Sequence, residues 1–158
     1  MGTQVDKWVK RYLDLAQAVS TWSKDPSTKI GAVAVGSQGQ IISQGYNGFP
    51  RGIIDSDNRL SVKEEKYKFV VHGEMNCIYN ACLNGLSLKD TTLYVYGLPV
   101  CSECAKGIIQ VGIKTVITQY GNTNLNPKWA DSNILTKQLF SETDVVYLEF
   151  DSYGELIS

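Results

Sequence analysis

Apolar and polar positions alternate along this chain in several distinct rhythms. Over residues 7–22, Trp8, Tyr12, Leu15, Ala16 and Val19 recur at helical spacing, while Lys7, Lys10, Arg11 and Asp14 occupy other faces. That pattern predicts an amphipathic helix. It is expected to end near "SKDPS", because Pro26 disfavours helical geometry at Asp25. In "IGAVAVGSQGQIISQG" two apolar runs flank a glycine-containing turn around residues 36–39, as in an antiparallel hairpin. Residues 46–66, "YNGFPRGIIDSDNRLSVKEEK", break all periodicity and predict a long loop, an uncommon feature that is usually functional or disordered.

Beyond that loop the chain alternates. A helix at about 73–84 precedes the strand "TLYVYG" at 92–97, and a helix at about 102–111 precedes the strand "KTVITQ" at 114–119. A loop rich in Asn and Gly, a helix at about 129–141 and the strand "DVVYLEF" at 144–150 follow. Gly85 and Gly112 stand where helix C-termini favour a left-handed residue. Strands alternating with helices favour parallel pairing and right-handed crossovers. Together with the hairpin, this predicts an α/β fold: a three-layer α/β/α sandwich around a mixed five-stranded sheet. With no repeat or linker in view, residues 1–158 are expected to form one domain.

Composition narrows the picture. A chain of 158 residues buries roughly 70% of its unfolded surface on folding and needs no disulfide staples. Fifteen basic and 16 acidic residues nearly cancel without a run of one sign, which disfavours a polynucleotide-binding groove. No apolar signal core or membrane span is apparent, and position 6 is Asp, which does not fit a myristoylation signal. The expectation is a soluble, cytoplasmic protein. In that setting its four cysteines read as thiols or metal ligands.

Two stretches carry candidate chemistry. "VVHGEMNCIYNAC", residues 70–82, holds the only histidine, His72, with Glu74 two positions on. "LPVCSECAKG", residues 98–107, holds Cys101 and Cys104 spaced C-x-x-C, after a predicted strand and at a helix start. A helix N-terminus lowers thiol pKa and favours thiolate. Two parallel helices entering the sheet from one face would unite one imidazole and two thiolates, leaving the open fourth position of catalytic zinc. Glu74, on the first helical turn, then serves as a proton carrier that does not ligate the metal. Other readings remain: His72 as a structural histidine, the C-x-x-C as a redox pair, or a closed structural zinc site. Cys77 lies about 140° round the helix from His72, badly placed to add a ligand. It and Cys82 read as core-facing or partly buried apolar residues.

The H-x-E and C-x-x-C elements, with "SKDPSTKIGAVAVG", "GYNGFPRG", "KYKFVVHGEMN" and "LYVYGLPVCSECAKGIIQVGIKTVI", resemble the deoxycytidylate (dCMP) deaminase family within the cytidine deaminase-like superfamily. The resemblance fades after Tyr120. Three features depart from the family pattern: Gly73 stands in place of Ala, Val100 separates Pro99 from the first cysteine, and "IIDSDN" replaces a Cys-Ser-Asp-Asp run.

The resemblance implies hydrolytic removal of the 4-amino group of a cytosine nucleotide, with Zn2+ held by His72, Cys101 and Cys104 and protons moved by Glu74. A related deaminase of dCTP, a free nucleoside, tRNA or single-stranded nucleic acid is the alternative. It implies substrate contacts at Asn47 (the sugar hydroxyl) and at Ser23, Lys24 and Tyr120 (the phosphate end). Glu103, beside the ligands, fixes substrate or water, or else favours the helix N-terminus. Phe49 and Tyr94 are either base-stacking or core residues. It further implies a homohexamer, activated by dCTP and inhibited by dTTP at a site including Asn47, Gly48, Phe49, Arg51, Gly52, Lys66 and Lys68.

Overall fold

The computed structural model describes residues 6–121 and 127–157, the Lys128 side chain excepted. The expected Asn- and Gly-rich loop lies largely outside these residues, as does the start of the chain considered for myristoylation. The elements run α1 (Lys7–Ser20), β1 (Gly31–Val35), β2 (Ile41–Tyr46), α2 (Asp57–Ser61), α3 (Lys63–Phe69), α4 (Gly73–Leu83), β3 (Thr92–Gly97), α5 (Ser102–Gln110), β4 (Thr115–Tyr120), α6 (Ala130–Glu142) and β5 (Val146–Phe150). A short 3-10 turn over Pro127–Trp129 leads into α6.

The five strands form one mixed sheet in the order β2-β1-β3-β4-β5. β1 pairs antiparallel with β2 and with β3, whereas β3, β4 and β5 are parallel. Side chains alternate across a strand, and here both alternating sets are apolar because helices cover both faces. On one face, Val33, Val35, Tyr94, Ile117 and Phe150 meet Leu13, Ala16 and Val19 of α1. On the other, Ala32, Ala34, Leu93, Val95 and Val116 meet α4 and α5, with Phe140 of α6 at the margin. The expected three-layer sandwich is thus present, with α1 on one face and α4, α5 and α6 on the other.

Close approach of helix to sheet depends on small residues. A Cβ on Gly45 would lie 2.2 Å from the Cys77 amide nitrogen and 2.6 Å from the Asn76 carbonyl carbon, both backbone atoms of α4. Glycine there lets α4 settle onto β2, and two side chains fix the contact. Asn76 Nδ2 donates to the Tyr46 carbonyl at 2.8 Å, and Asn80 Nδ2 donates to the Gln44 carbonyl at 2.7 Å. The start of α4, with His72 and Glu74, is anchored by this packing.

Some local expectations need correction. α1 ends at Ser20 and not at residue 22: the Ser20 and Thr21 hydroxyls donate back to the Gln17 and Ala18 carbonyls and close the last turn. Its inner face is built on Leu13, while Trp8 stays exposed. The 46–66 stretch is not all loop, since it contains α2 and the first half of α3. Ser56 caps α2 by accepting from the Arg59 amide, and acidic Glu64 and Glu65 open α3 while Lys66 and Lys68 close it. β5 starts at Val146, two residues late, because Asp144 takes a left-handed φ of 58° after α6. Gly85 and Gly112 adopt the left-handed conformation expected of them, with φ of 70° and 83°. Among the described residues no helix is long and apolar enough to cross a membrane.

Candidate metal centre and active site

The register of the sheet creates one crowded edge. Gly31 at the start of β1 sits opposite both Tyr46 at the end of β2 and Tyr96 near the end of β3. Segments 25–30, 47–49 and 97–101 therefore leave or enter the sheet together. This is the carboxyl end of the parallel strands, where open α/β sheets gather ligands. α4 and α5 both begin there.

His72 is the N-cap residue of α4, with extended backbone and no side-chain capping bond, so its imidazole is free to turn toward α5. Cys101 is the N-cap residue of α5, and its Sγ accepts from the Cys104 amide at 3.4 Å. The His72 Nδ1 lies 3.3 Å from Cys104 Sγ and 3.4 Å from Cys101 Sγ. One donor atom from each of the three residues falls within 4.8 Å of the other two. Around tetrahedral zinc, with Zn–S about 2.3 Å and Zn–N about 2.0 Å, nitrogen and sulfur sit roughly 3.5 Å apart. The trio fits that ion in donor type, number and spacing. Cys104 is buried, Cys101 half-buried and His72 exposed.

The hydrogen bond from Cys104, with those from His72 and the Cys104 amide, pulls the Cys101 thiol down to about 4 against the opposing effect of burial. Hydrogen bonding to Cys101 and burial push the Cys104 thiol up. Cys101 also raises the His72 pKa by accepting its hydrogen bond. Glu74 is 4% exposed, and its Oε2 lies 3.7 Å from Cys104 Sγ. Burial raises its carboxyl above the ordinary value, favouring a group that holds and releases a proton nearer neutrality.

His72, Glu74 and Cys101 open onto a cavity of about 430 Å³, a volume in the range of small-molecule sites. Its far wall comes from α3 and the turn after α1. There Lys66 Nζ pairs with Asp25 Oδ1 at 3.2 Å and donates to Ser27 Oγ at 2.8 Å. Asp25 also accepts from the Ser27 and Thr28 amides. Lys66 is therefore a buried part of this cavity's wall. Lys68 is exposed and pairs with Glu65.

The remaining candidates divide. Asn47 lines the cavity; its Oδ1 accepts from the Ile30 amide and its Nδ2 donates to the Thr28 carbonyl, both at 2.8 Å, so it also holds the 28–30 turn. Ser23, Lys24, Glu103 and Tyr120 are not among the described lining residues. Ser23 Oγ donates to the Asn47 carbonyl, Lys24 pairs with Asp55, exposed Glu103 pairs with Lys106, and Tyr120 donates to Glu149 Oε2 at 2.5 Å. Phe49 packs against Phe69 as a tilted pair and Tyr94 belongs to the core. Arg51 donates to Asn80 Oδ1 at 2.6 Å beside a second hollow. Cys77 is fully buried as expected, with its thiol pushed up to about 11 by burial, whereas Cys82 is exposed, because it falls on the outer face of α4. Sequence patterns gave no sign of Asp25, Ser27 or Lys63 in the cavity wall. The one local hint was the Asp-Pro-Ser-Thr turn.

Comparison with known proteins agrees with this geometry. The family model described as the cytidine and deoxycytidylate deaminase zinc-binding region matches residues 6–120. Deoxycytidylate deaminase of Homo sapiens is 35% identical over 154 residues, spanning 91% of this chain and 80% of that protein. The probable deoxycytidylate deaminase of Drosophila melanogaster is 44% identical over 156 residues, spanning 84% of this chain and 72% of that protein. The crystal structure of dCMP deaminase from the cyanophage S-TIM5, in complex with dCMP and dUMP, shares the fold. Its TM-score is 0.70 at 23% identity, covering 93% of this chain and all of that one.

Proposed function

The chain belongs to the cytidine and deoxycytidylate deaminase family, and on that premise we propose that it is a hydrolase converting dCMP and water to dUMP and ammonia. The observation that carries this is the convergence of His72, Cys101 and Cys104 beside buried Glu74 at the wall of a nucleotide-sized cavity. When bound to those three residues, zinc supplies the Lewis acidity that makes water a nucleophile near neutral pH. The protein's own part in the chemistry is proton transfer. Glu74 accepts a proton from the attacking water and delivers it to ring N3, then carries the second water proton to the 4-amino group as it leaves. The two protons end on N3 and on ammonia, so the step balances without a further reagent. Asn47, already in the cavity lining, is the residue for the sugar hydroxyl.

Regulation belongs to the same reading. The hollow between β2 and α4, about 410 Å³ and lined by Ser43, Gln44, Arg51 and Asn80 among others, is the place for a dCTP or dTTP effector. Arg51 there supplies a phosphate-pairing guanidinium, and Gly48, Phe49 and Gly52 shape its turn. Exposed Ile41, Tyr79, Leu83 and Leu86 around that edge support a homo-oligomer, a hexamer in this reading.

The test is ammonia release from dCMP, dCTP, deoxycytidine and a cytosine-containing oligonucleotide, each with and without added dCTP or dTTP. The expected result is the highest kcat/KM on dCMP, with activation by dCTP and inhibition by dTTP. Turnover of only the nucleoside or the oligonucleotide overturns the substrate assignment. Rates on dCMP that neither triphosphate moves overturn the regulatory part.

A further inference from the structure

The loop that carries Cys101 is held by residues from the far end of the chain. Val100 is fully buried, its side chain in the same core as Cys104, Ile108 and Phe140. Both of its backbone polar groups are bonded to side chains. The Val100 amide donates to Tyr147 Oη of β5 at 3.0 Å, and the Val100 carbonyl accepts from Thr136 Oγ1 of α6 at 2.9 Å. One residue past the ligand, the Ser102 amide donates to Ser132 Oγ of α6 at 2.9 Å, and Ser132 Oγ donates in turn to Ser102 Oγ at 3.2 Å. Cys101 is therefore bracketed by hydrogen bonds on either side, all to α6 and β5.

These partners are built for the purpose. Thr136 is a fully buried hydroxyl in a helix interior, a costly placement without a bond to make. The Tyr147 ring packs edge-on against Phe140 at 5.2 Å, which fixes where its oxygen can stand. All three side chains lie beyond residue 120, where the family model ends.

We propose that Thr136, Tyr147 and Ser132 form a clamp that sets the position of the Cys101 sulfur for metal, making the α6–β5 segment a determinant of zinc retention. Without the clamp the 98–101 segment keeps its ends but loses the bonds that stop peptide 100 from turning. The Cys101 sulfur then samples positions away from His72 Nδ1. Outer partners that orient ligands in this way typically change metal affinity about 10–100-fold when removed. They are positioning residues, since none is among the donor atoms of the trio. The inference rests on the zinc assignment but not on which nucleotide is the substrate.

The experiment follows zinc release from the full-length, zinc-loaded protein to a chromogenic chelator, for wild type and for T136V, Y147F, S132A and the conservative T136S. Cobalt-substituted samples of each give the thiolate-to-metal absorption bands, which report ligand geometry directly and which a purely structural role leaves unchanged. The expected result is release about 10–100-fold faster in T136V and in Y147F, with altered cobalt bands, and near-wild-type behaviour in T136S. S132A, whose side chain is only half-buried, covers the case in which T136V fails to fold; it is expected to change the bands with release at least several-fold faster. Wild-type release rates and bands in every folded hydroxyl-removing variant overturn the clamp. A wild-type chain that retains no zinc overturns the metal assignment itself, which separates the two failures.

Discussion

Replacing Glu74 by Gln tests the chemistry at a single atom. The side chain keeps its size in a site that is 4% exposed, so packing is preserved, while the group loses the ability to take up and return a proton at the required point. Among the described residues the only other carboxylate on the cavity wall is Asp25, and it is committed to Lys66, Ser27 and the amides of residues 27 and 28. No described neighbour on that wall is free to stand in. General acid–base catalysis contributes about 10²–10⁴-fold, and here one carboxyl serves two transfers, so the upper end applies: about 10⁴ in kcat, or about 5.4 kcal/mol at 1.36 kcal/mol per decade. Zinc content is expected to stay at the wild-type level, because the ligand trio does not include Glu74. Removing an acid that must be buried is also expected to leave the thermal midpoint unchanged or higher. The assay is the rate of dCMP loss at saturation, beside metal analysis and a melting curve on the same sample. A variant that keeps more than about a tenth of wild-type kcat with full zinc refutes the proton-carrier role, since a single decade is below any general acid–base contribution of this kind.

Other perturbations reach the scaffold and the metal. Cys104→Ser removes a buried ligand, and the expected outcome is loss of zinc by metal analysis and of turnover together; a variant that keeps both excludes Cys104 as a ligand. Asp25→Asn leaves Lys66 without its counter-charge in a site where the two side chains are 8% and 11% exposed, so a loss of about 3–5 kcal/mol is expected, seen as a melting point lower by about 6–20 °C. That deficit should shrink in acid. Burial works to raise the Asp25 pKa, but the Ser27 and Thr28 amides, Lys66 and the Ser27 hydroxyl together hold it below the ordinary 3.8. A depressed carboxylate stabilises above its unfolded-state value and loses that contribution as pH falls through the folded one. A deficit that is constant between pH 7 and pH 3 contradicts the pairing. Gly45→Ala places a methyl group 2.2 Å from the Cys77 amide nitrogen, and α4 must move off β2; melting and zinc retention are both expected to fall, and an unchanged protein refutes the close approach.

The sequence and the structure agree best where information is local. His72 and Glu74 share one helix start and Cys101 and Cys104 another, so each half of the metal site is visible in a few consecutive residues. The alternation of strands and helices after residue 72 likewise carries the parallel half of the sheet. What escaped detection depends on partners distant in the chain. Lys66 reads as surface charge until Asp25, 41 residues away, is seen to neutralise it. Thr136 and Tyr147 look like ordinary helix and strand residues, and only their bonds to Val100, 36 and 47 residues away, give them a role. α2 and α3 are hard to read for another reason: helices of five and seven residues are too short to show a hydrophobic stripe, and only the Ser56 cap of α2 and the end charges of α3 mark them. Lys24 and Glu103 sit next to site residues in sequence and Tyr120 ends β4, but their side chains turn to Asp55, Lys106 and Glu149.

The central claim is that one imidazole and two thiolates hold a single zinc with room for one more ligand. X-ray absorption at the zinc edge of the purified, full-length protein addresses it directly, together with metal stoichiometry. The account predicts one zinc per chain, with two sulfurs at about 2.3 Å and two lighter atoms at about 2.0 Å, one of them an imidazole nitrogen. A protein purified without zinc that also fails to take it up, or a shell of four sulfurs, contradicts it.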